Sequence, residues 1–182
     1  NKPFEVTVPY PDGSLVVYLL DRGEPWYRYE HTVGASKTNR GRQVPCLQDT
    51  DEQCPECLKS GKTGTYVMYY TAVVPKESYT KRGDSRPTTR RFQKKLFPIK
   101  LKMGDRYKRL FLKEGSMRGL KLKLFRSSQM DPRTGNDFEV MGRLSEAKIK
   151  SIAKGQIKGI DRDTRDRIIK SKLDEPFDYD KI

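Results

Sequence analysis

The sequence predicts a mainly β fold: an OB-fold-like small barrel with an inserted loop and short helices at the C-terminal end. Three observations predict it. Six or seven short apolar segments are separated by turn residues, little helical periodicity occurs before residue 145, and 182 residues suit one domain with a small appendage. Strand order cannot be derived from one sequence, so a β-sandwich stays open as an alternative.

The first half of the chain is predicted to contain three strands. Residues 15–20 are apolar and follow the turn residues Pro11-Asp12-Gly13, which is typical of a buried strand. Residues 26–33 form a second extended piece, and residues 66–74 form the strongest strand because they are mostly β-branched or aromatic. Two intervening segments are polar or rich in turn residues and are predicted to be loops: residues 35–43 and residues 46–64.

The second half is predicted to continue with a loop and four strands. Residues 76–89 are basic and contain Gly83 and Pro87, so we expect a long loop that is mobile without a ligand. Residues 120–125 alternate leucine with lysine, which places leucine on a buried face and lysine on an exposed face. The other predicted strands are residues 96–102, residues 109–113 and residues 138–141, the last as a closing hairpin arm.

Two short helices and an acidic tail are predicted at the C-terminal end. Ser145 is a suitable N-cap for a helix over residues 146–154, and a second helix is predicted over residues 161–172. The chain is thereby divided into an OB-like domain, a helical segment and an acidic tail: residues 1–144, residues 145–172 and residues 173–182.

Composition excludes several classes of protein. No apolar run approaches the roughly 18 residues of a membrane-spanning helix. Three cysteines are an odd number, which argues against a closed disulfide framework and for reduced thiols, so we expect a cytoplasmic protein. The chain starts without Met or a signal-peptide pattern, so we expect the natural amino terminus to lie upstream.

Positive charge is concentrated in one part of the sequence. The net charge is +14, and residues 81–126, here called the basic stretch, contain seventeen Lys or Arg against three acids. Charge runs are often only solvated faces, but aromatic residues are interleaved with these cations. Phosphates need cations and unpaired bases need flat apolar partners, so the basic stretch predicts nucleic-acid binding.

All three cysteines and the only histidine lie within 27 residues, as His31, Cys46, Cys54 and Cys57. A Cys-x-x-Cys pair brings two sulfurs to one edge of a tetrahedron, and zinc completes its shell with four N or S ligands. The sequence therefore predicts a zinc-binding loop inserted in the barrel, at about residues 31–64. The alternatives are incidental buried cysteines or a redox pair, which would open a helix after a βαβ strand.

The predicted zinc is structural, because four protein ligands leave no position open for water. The His-x-Glu signature of deaminases is absent, since His31 is followed by Thr32 and Val33, and Cys46 has Asp49 three residues later. No acidic set typical of nucleases that hold two magnesium ions is found. We therefore predict that the protein is not an enzyme.

The spacing His31, Cys46, Cys54-Pro55-Glu56-Cys57, between an early apolar strand and the aromatic strand 66–74, resembles the zinc-containing single-stranded-DNA-binding proteins of bacteriophages, of the T-even type and of other tailed phages. The likeness covers roughly residues 12–144. It implies an OB fold, cooperative coating of single strands during replication and recombination, and an acidic tail that recruits replication proteins. It also implies host cytoplasm as the location.

Binding of a single strand needs a cationic groove along the backbone and aromatic planes for the bases. The candidate stacking residues are Trp26, Tyr27, Tyr29, Tyr69, Tyr70 and Phe92. Tyr69 and Tyr70 are adjacent in a strand and point to opposite faces, so one of them is expected to be exposed. The candidate cations are Lys81, Arg82, Arg86, Arg90, Arg91, Lys94, Lys95, Lys100, Lys102, Arg106, Lys108, Arg109, Lys121 and Lys123.

The acidic tail is either a disordered solubilising end or a partner-binding segment that also competes for the basic groove. Its candidate partner-binding residues are Asp174, Glu175, Phe177, Asp178 and Asp180. Single-stranded DNA is the predicted main partner, with replication or recombination proteins bound through the tail and no membrane. The rival prediction is a zinc-stabilised adaptor that binds RNA or protein with the same basic face.

Overall fold

The computed structural model describes residues 2–11 and 13–182, so the predicted turn at Pro11-Asp12-Gly13 includes a residue, Asp12, outside the described part. The described chain forms seven strands and four α-helices, followed by a 3₁₀ turn at Tyr179–Lys181. The strands are β1 (Ser14–Leu19), β2 (Trp26–Ala35), β3 (Arg40–Pro45), β4 (Thr65–Tyr79), β5 (Thr88–Lys100), β6 (Leu120–Phe125) and β7 (Asp137–Arg143). The helices are α1 (Pro55–Ser60), α2 (Leu101–Glu114), α3 (Glu146–Ala153) and α4 (Arg162–Ser171).

The strands form one antiparallel sheet in the order β3-β2-β4-β1-β6-β7, and β5 pairs with β4 outside this order. The long strand β4 is shared along one edge, where Tyr69 is opposite Trp26 of β2 and Ala72 is opposite Leu19 of β1. β5 follows the other edge of β4. The mainly β class is confirmed, but a closed barrel is not, because the pairings of the described strands leave the sheet open.

The N-terminal segment lies between β5 and the connection of β6 to β7. The backbone N–H of Val6 donates to the carbonyl of Leu96 at 2.9 Å, and that of Val8 donates to the carbonyl of Arg133 at 2.7 Å. These bonds satisfy part of the free edge of β5, so the segment covers an edge that the strands themselves leave unpaired.

The central strands are buried on both faces. Helix α2 covers one face, where Tyr107 packs with Phe97 and Tyr70 in the main core cluster. Helices α3 and α4 cover part of the other face, where Ile149 and Ile168 join a second cluster. The end of the chain, residues 177–182, covers a third cluster on the sheet. Strands of a sheet that is covered on both faces are apolar along their length, rather than alternating between apolar and polar residues.

Helix α2 contradicts the prediction of a strand over residues 109–113 and ends the strand predicted over residues 96–102 at Lys100. Its buried residues Met103, Tyr107 and Leu110 have the spacing of one helical face. The intervening residues are mostly cationic, so a short window over residues 109–113 showed an apolar segment but not the helical period. Gly115, in the left-handed region at φ 76°, ends the helix.

Two predicted loops are shorter than expected. Residues 40–45 form β3, and the supposed long loop at 76–89 is mostly the outer part of the β4–β5 hairpin, in which Lys76 pairs with Arg91 and Tyr79 with Thr88. We call residues 76–91 the arm. The arm extends beyond the core, so its strands have no buried face and no apolar alternation that would reveal them.

The remaining strand and helix predictions agree with the structure. β6 occupies the residues predicted for it, and α3 and α4 differ from their predicted ranges by no more than one residue at each end. Ser145 caps α3 by accepting a hydrogen bond from the N–H of Lys148. None of the helices in the described ranges has the length and apolar composition needed to cross a membrane.

Candidate metal centre and basic surface

The four predicted metal ligands converge because of the β2–β3 hairpin and α1. His31 lies on β2 opposite Val44, so the end of β3 returns Cys46 to the neighbourhood of His31. The N–H of Cys46 donates to the carbonyl of Tyr29 at 2.7 Å and holds this return. Cys54 is the N-cap of α1, and Cys57 lies in its first turn.

The ligand atoms of this metal centre all lie within 4.8 Å of one another. The Sγ atoms of Cys46 and Cys57 are 3.5 Å apart, and the Nε2 atom of His31 is 3.4 Å from Sγ of Cys54 and 3.3 Å from Sγ of Cys57. A tetrahedral zinc ion with ordinary bond lengths separates two sulfurs by about 3.8 Å and sulfur from nitrogen by about 3.6 Å. The residues therefore fit a tetrahedral metal ion.

Two thiols of the centre, those of Cys54 and Cys57, have pKa values shifted in opposite directions. Backbone N–H groups of Leu47 and Cys57 lower the pKa of Cys54 to about 6. Burial, together with the sulfurs of Cys46 and Cys54, raises the pKa of Cys57 to about 12. Three thiolates in so small a space repel one another, and a bound cation removes that repulsion. The arrangement can hold a metal ion, with three sulfurs and one imidazole as ligands.

A second layer of contacts supports Cys46. Its Sγ lies 3.4 Å from the Oε1 atom of Gln48, which also accepts a hydrogen bond of 2.8 Å from the N–H of Gly64. A Cβ atom at Gly64 would lie 2.7 Å from Cβ and 3.0 Å from Sγ of Cys46, which is closer than such atoms approach. The absence of a side chain at Gly64 therefore leaves room for Cys46.

The Cys-x-x-Cys pair opens a helix, which differs from the loop expected around it. The helix has only six residues, and the surrounding sheet is antiparallel, so the pair does not follow a βαβ strand. No disulfide joins the three cysteines, and His31 lies close to both Cys54 and Cys57. The geometry favours metal binding over thiol redox chemistry.

The cations of the basic stretch mostly lack acidic partners. Among the predicted set, Lys95 pairs with Glu77 at 2.8 Å and Arg106 pairs with Asp137 at 2.7 Å. Lys94 instead donates to backbone carbonyls of the C-terminal segment. Within the described ranges, no other member of the predicted set forms an ion pair. Most cations of the basic stretch therefore have no carboxylate partner among the described residues.

Apart from Lys94 and Lys95 of β5, the predicted cations fall into three groups by position. Lys81, Arg82 and Arg86 lie at the exposed turn of the arm, and Arg90 and Arg91 lie on its second strand. Another group surrounds α2 and its start: Lys100, Lys102, Arg106, Lys108 and Arg109. The half-buried Lys121 and Lys123 alternate with buried leucines on β6, as predicted. The arm and α2 thus carry most of the unpaired charge.

Several predicted stacking residues are in the core. Tyr69 and Tyr70 are both fully buried, so the prediction that one of them is exposed is wrong. The physical reason is that the C-terminal segment covers the face of Tyr69 while α2 covers the face of Tyr70. Phe92 is also buried, in the cluster with α3 and α4. Trp26 is half-buried, with its ring stacked on Tyr179 at 5.3 Å.

An aromatic group that includes a residue missed at the sequence level lies on β2 and β4. The ring of Tyr66 is 5.4 Å from that of Tyr27 and 5.3 Å from that of Tyr29. Tyr27 is 55% exposed. Tyr66 was not predicted as a site residue because only the pairing of β2 with β4 shows that it lies beside Tyr29. We call Tyr27, Tyr29 and Tyr66 the tyrosine group.

The acidic tail is packed on the sheet and is not a disordered end. The hydroxyl of Tyr179 donates to Oδ1 of Asp21 at 2.6 Å, and the N–H of Phe177 donates to Oγ1 of Thr71 at 2.9 Å. The Nζ atom of Lys94 lies 4.9 Å from the centre of the Phe177 ring. The predicted partner-binding acids differ in exposure: Asp174 is half-buried, whereas Glu175, Asp178 and Asp180 are exposed.

Burial raises the pKa of Asp21, although hydrogen bonds from Tyr179 and from the N–H of Thr71 oppose this shift. Asp21 thus fixes the tail to the sheet through one buried carboxylate.

The site as a whole combines a four-ligand candidate metal centre, an exposed tyrosine group and a largely unpaired basic surface. Comparisons of this chain with protein-family models, with curated proteins and with solved structures found no match.

Proposed function

We propose that this protein binds single-stranded DNA and coats it during replication or recombination. The observation that carries the proposal is the low number of internal ion pairs in the basic stretch: among the described residues, Lys95, Arg106 and Arg118 have carboxylate partners, whereas the cations at the turn of the arm have none. Such a surface attracts a polyanion from a distance and holds it through phosphates.

The tyrosine group is an argument for binding of single-stranded rather than duplex DNA. Bases are exposed for stacking only when they are unpaired, and base–aromatic stacking contributes about 1–3 kcal/mol per base. The exposed ring of Tyr27, supported by Tyr66, is suited to such a contact. The resemblance of the His31 and cysteine spacing to phage single-stranded-DNA-binding proteins supports the same proposal, with phage replication as its setting.

The metal is zinc in this proposal. Three sulfurs and one imidazole are the ligand set of structural zinc sites, and their separations suit a tetrahedral ion. Its role is to join the β2–β3 hairpin to α1, with no position left open for chemistry. We also propose that the open sheet is related to the OB fold. The support for this is that β1 and β2 both pair with β4.

Titration of fluorescent oligo-dT, duplex DNA and folded RNA tests the proposal. We expect tightest binding to oligo-dT, and log K should fall with log salt by about 0.7 for each phosphate neutralised. Preference for folded RNA would favour the adaptor function instead. Affinity for oligo-dT that is unchanged between 50 mM and 500 mM salt, concentrations that differ by about one logarithmic unit, would contradict a phosphate-based interface.

A further inference from the structure

A basic cleft lies between the arm and α4. Its volume is about 620 Å³, and its cationic lining residues are Lys76, Arg90, Arg91 and Arg167. Arg167 lies outside both the basic stretch and the arm, so the cleft adds a charge that only the tertiary structure brings to the arm. Helix α4 is thereby part of a basic surface that the sequence analysis assigned to the middle of the chain.

The charge of the cleft is unbalanced. Asp161 is its one acidic lining residue among those described, and its carboxylate caps α4 by accepting a hydrogen bond of 2.6 Å from the N–H of Thr164. Burial and the nearby charge of Arg90 lower the pKa of Arg167. Cations held this close together repel one another, and a bound anion removes the repulsion.

The guanidinium group of Arg167 is positioned in advance. Arg167 donates to the backbone carbonyls of Arg91 and Phe92, the second at 3.2 Å, and is thereby fixed against β5. The Nε atom of Arg91 is buried and has no hydrogen-bond partner in the described part of the chain. A buried donor without an acceptor is costly. Because Arg91 lines the cleft, an anion bound there would lie beside this unsatisfied guanidinium group.

We propose that this cleft binds a phosphate group of the DNA strand, so that the strand passes from the arm onto α4. The inference rests on the proposed function. Guanidinium groups in fixed positions suit phosphate oxygens, which accept several hydrogen bonds at once. The cations at the turn of the arm lie on the same hairpin as Arg90 and Arg91, which makes a continuous path for the strand.

The test uses the full chain and the double variant Lys76→Gln/Arg90→Gln. Both side chains are exposed, and Arg167 is left intact because its bonds join α4 to β5. The matched control is Lys158→Gln/Lys170→Gln, which removes two exposed cations that do not line the cleft. Oligo-dT affinity is measured from 50 to 500 mM salt for wild type and both variants, a range of about tenfold in concentration.

We expect the cleft variant to bind oligo-dT about tenfold more weakly at the lowest salt, with a salt slope smaller by about 0.7 to 1.4. The control should stay close to wild type, and melting temperatures should be alike. Equal behaviour of the two variants, with wild type still binding, overturns this inference and leaves the proposed function standing. A wild type that does not bind oligo-dT overturns both.

A measurement with inorganic pyrophosphate distinguishes a site for the phosphates of DNA from a site for free phosphate. A rise in melting temperature with pyrophosphate in wild type and control, absent in the cleft variant, is expected because the cleft recognises phosphate oxygens. If that rise occurs while the cleft variant keeps wild-type affinity for oligo-dT, the cleft is a site for free phosphate and the proposed path of the strand is wrong.

Discussion

Gly64 shows how one residue without a ligand atom contributes to the metal centre. Its missing side chain leaves room for Cys46. Gly64→Ala is expected to displace Cys46 and to weaken the affinity for an added metal ion about ten- to hundredfold, as loss of supporting contacts around metal ligands does. Competition with a chromophoric chelator measures the affinity. Gly23→Ala is the control, since a Cβ there has nothing within 4 Å. Equal affinities would mean that the site relaxes around the added methyl group.

A substitution at Tyr179 tests how the tail is attached to the sheet. Its hydroxyl contacts Asp21 at 2.6 Å and Thr71 at 2.9 Å. Tyr179→Phe removes the donor from a buried carboxylate and is expected to cost about 1–3 kcal/mol in the free energy of unfolding. The measurement is urea denaturation, with Tyr27→Phe as an exposed control. A loss no larger than that of the control would contradict this role of the hydroxyl.

The pH dependence of the Tyr179→Phe effect follows from Asp21. The folded-state pKa of Asp21 is raised by burial, and Tyr179 opposes the rise by stabilising the carboxylate. Removing the hydroxyl raises this pKa further. The loss of stability is therefore smallest in acid, where Asp21 is protonated in both proteins, and grows as pH rises above the wild-type pKa of Asp21. A loss that shrinks with rising pH would contradict this assignment.

At the scale of elements, the tail combines two roles that truncation cannot separate. Residues 177–182 cover Tyr69 and Trp26, while Asp178 and Asp180 point their charge to solvent. Deleting the segment is expected to expose an apolar face, lower the urea midpoint and shift the fluorescence of Trp26, the only tryptophan, to longer wavelength. Unchanged emission after deletion would mean that Trp26 is not covered in solution.

The charge of the tail is tested separately with Asp178→Asn/Asp180→Asn, which keeps the aromatic contacts. We expect stability within about 0.5 kcal/mol of wild type, because both side chains are on the surface. If these acids compete with DNA, oligo-dT affinity rises at low salt and the difference disappears at high salt. Unchanged affinity at low salt would exclude such competition.

At the scale of the whole molecule, we expect the candidate metal centre and the main core to be separate sources of stability. The main core cluster contains no residue between Cys46 and Cys57, and the four ligands lie at the end of the β2–β3 hairpin opposite its turn, where His31 pairs with Val44. Removing the metal with a chelator is expected to abolish hydrogen-exchange protection in β3 and α1 while β1, β4 and β6 keep theirs. Simultaneous loss of protection throughout the sheet would mean that the two regions unfold together.

Local features were predictable where the chemistry is local. The three cysteines and the single histidine were identifiable from their rarity and spacing, and β6 from its leucine–lysine alternation. Helix α2 was not predicted because its buried residues are three and four positions apart and the residues between them are mostly cationic. A short window of sequence therefore does not show the helical period. The arm was missed because a two-stranded extension outside the core has no buried face to mark it.

The sequence by itself determined the mainly β class, the residues able to bind a metal and the concentration of positive charge in residues 81–126, because composition and spacing carry these properties. Only the tertiary structure decided which aromatic rings are exposed, since exposure depends on what covers each face of the sheet. It buried Tyr69 and Tyr70, left Tyr27 outside and brought Arg167 to Arg91 across 76 positions of the chain. Contacts between distant segments are set by packing, which no single stretch of sequence contains.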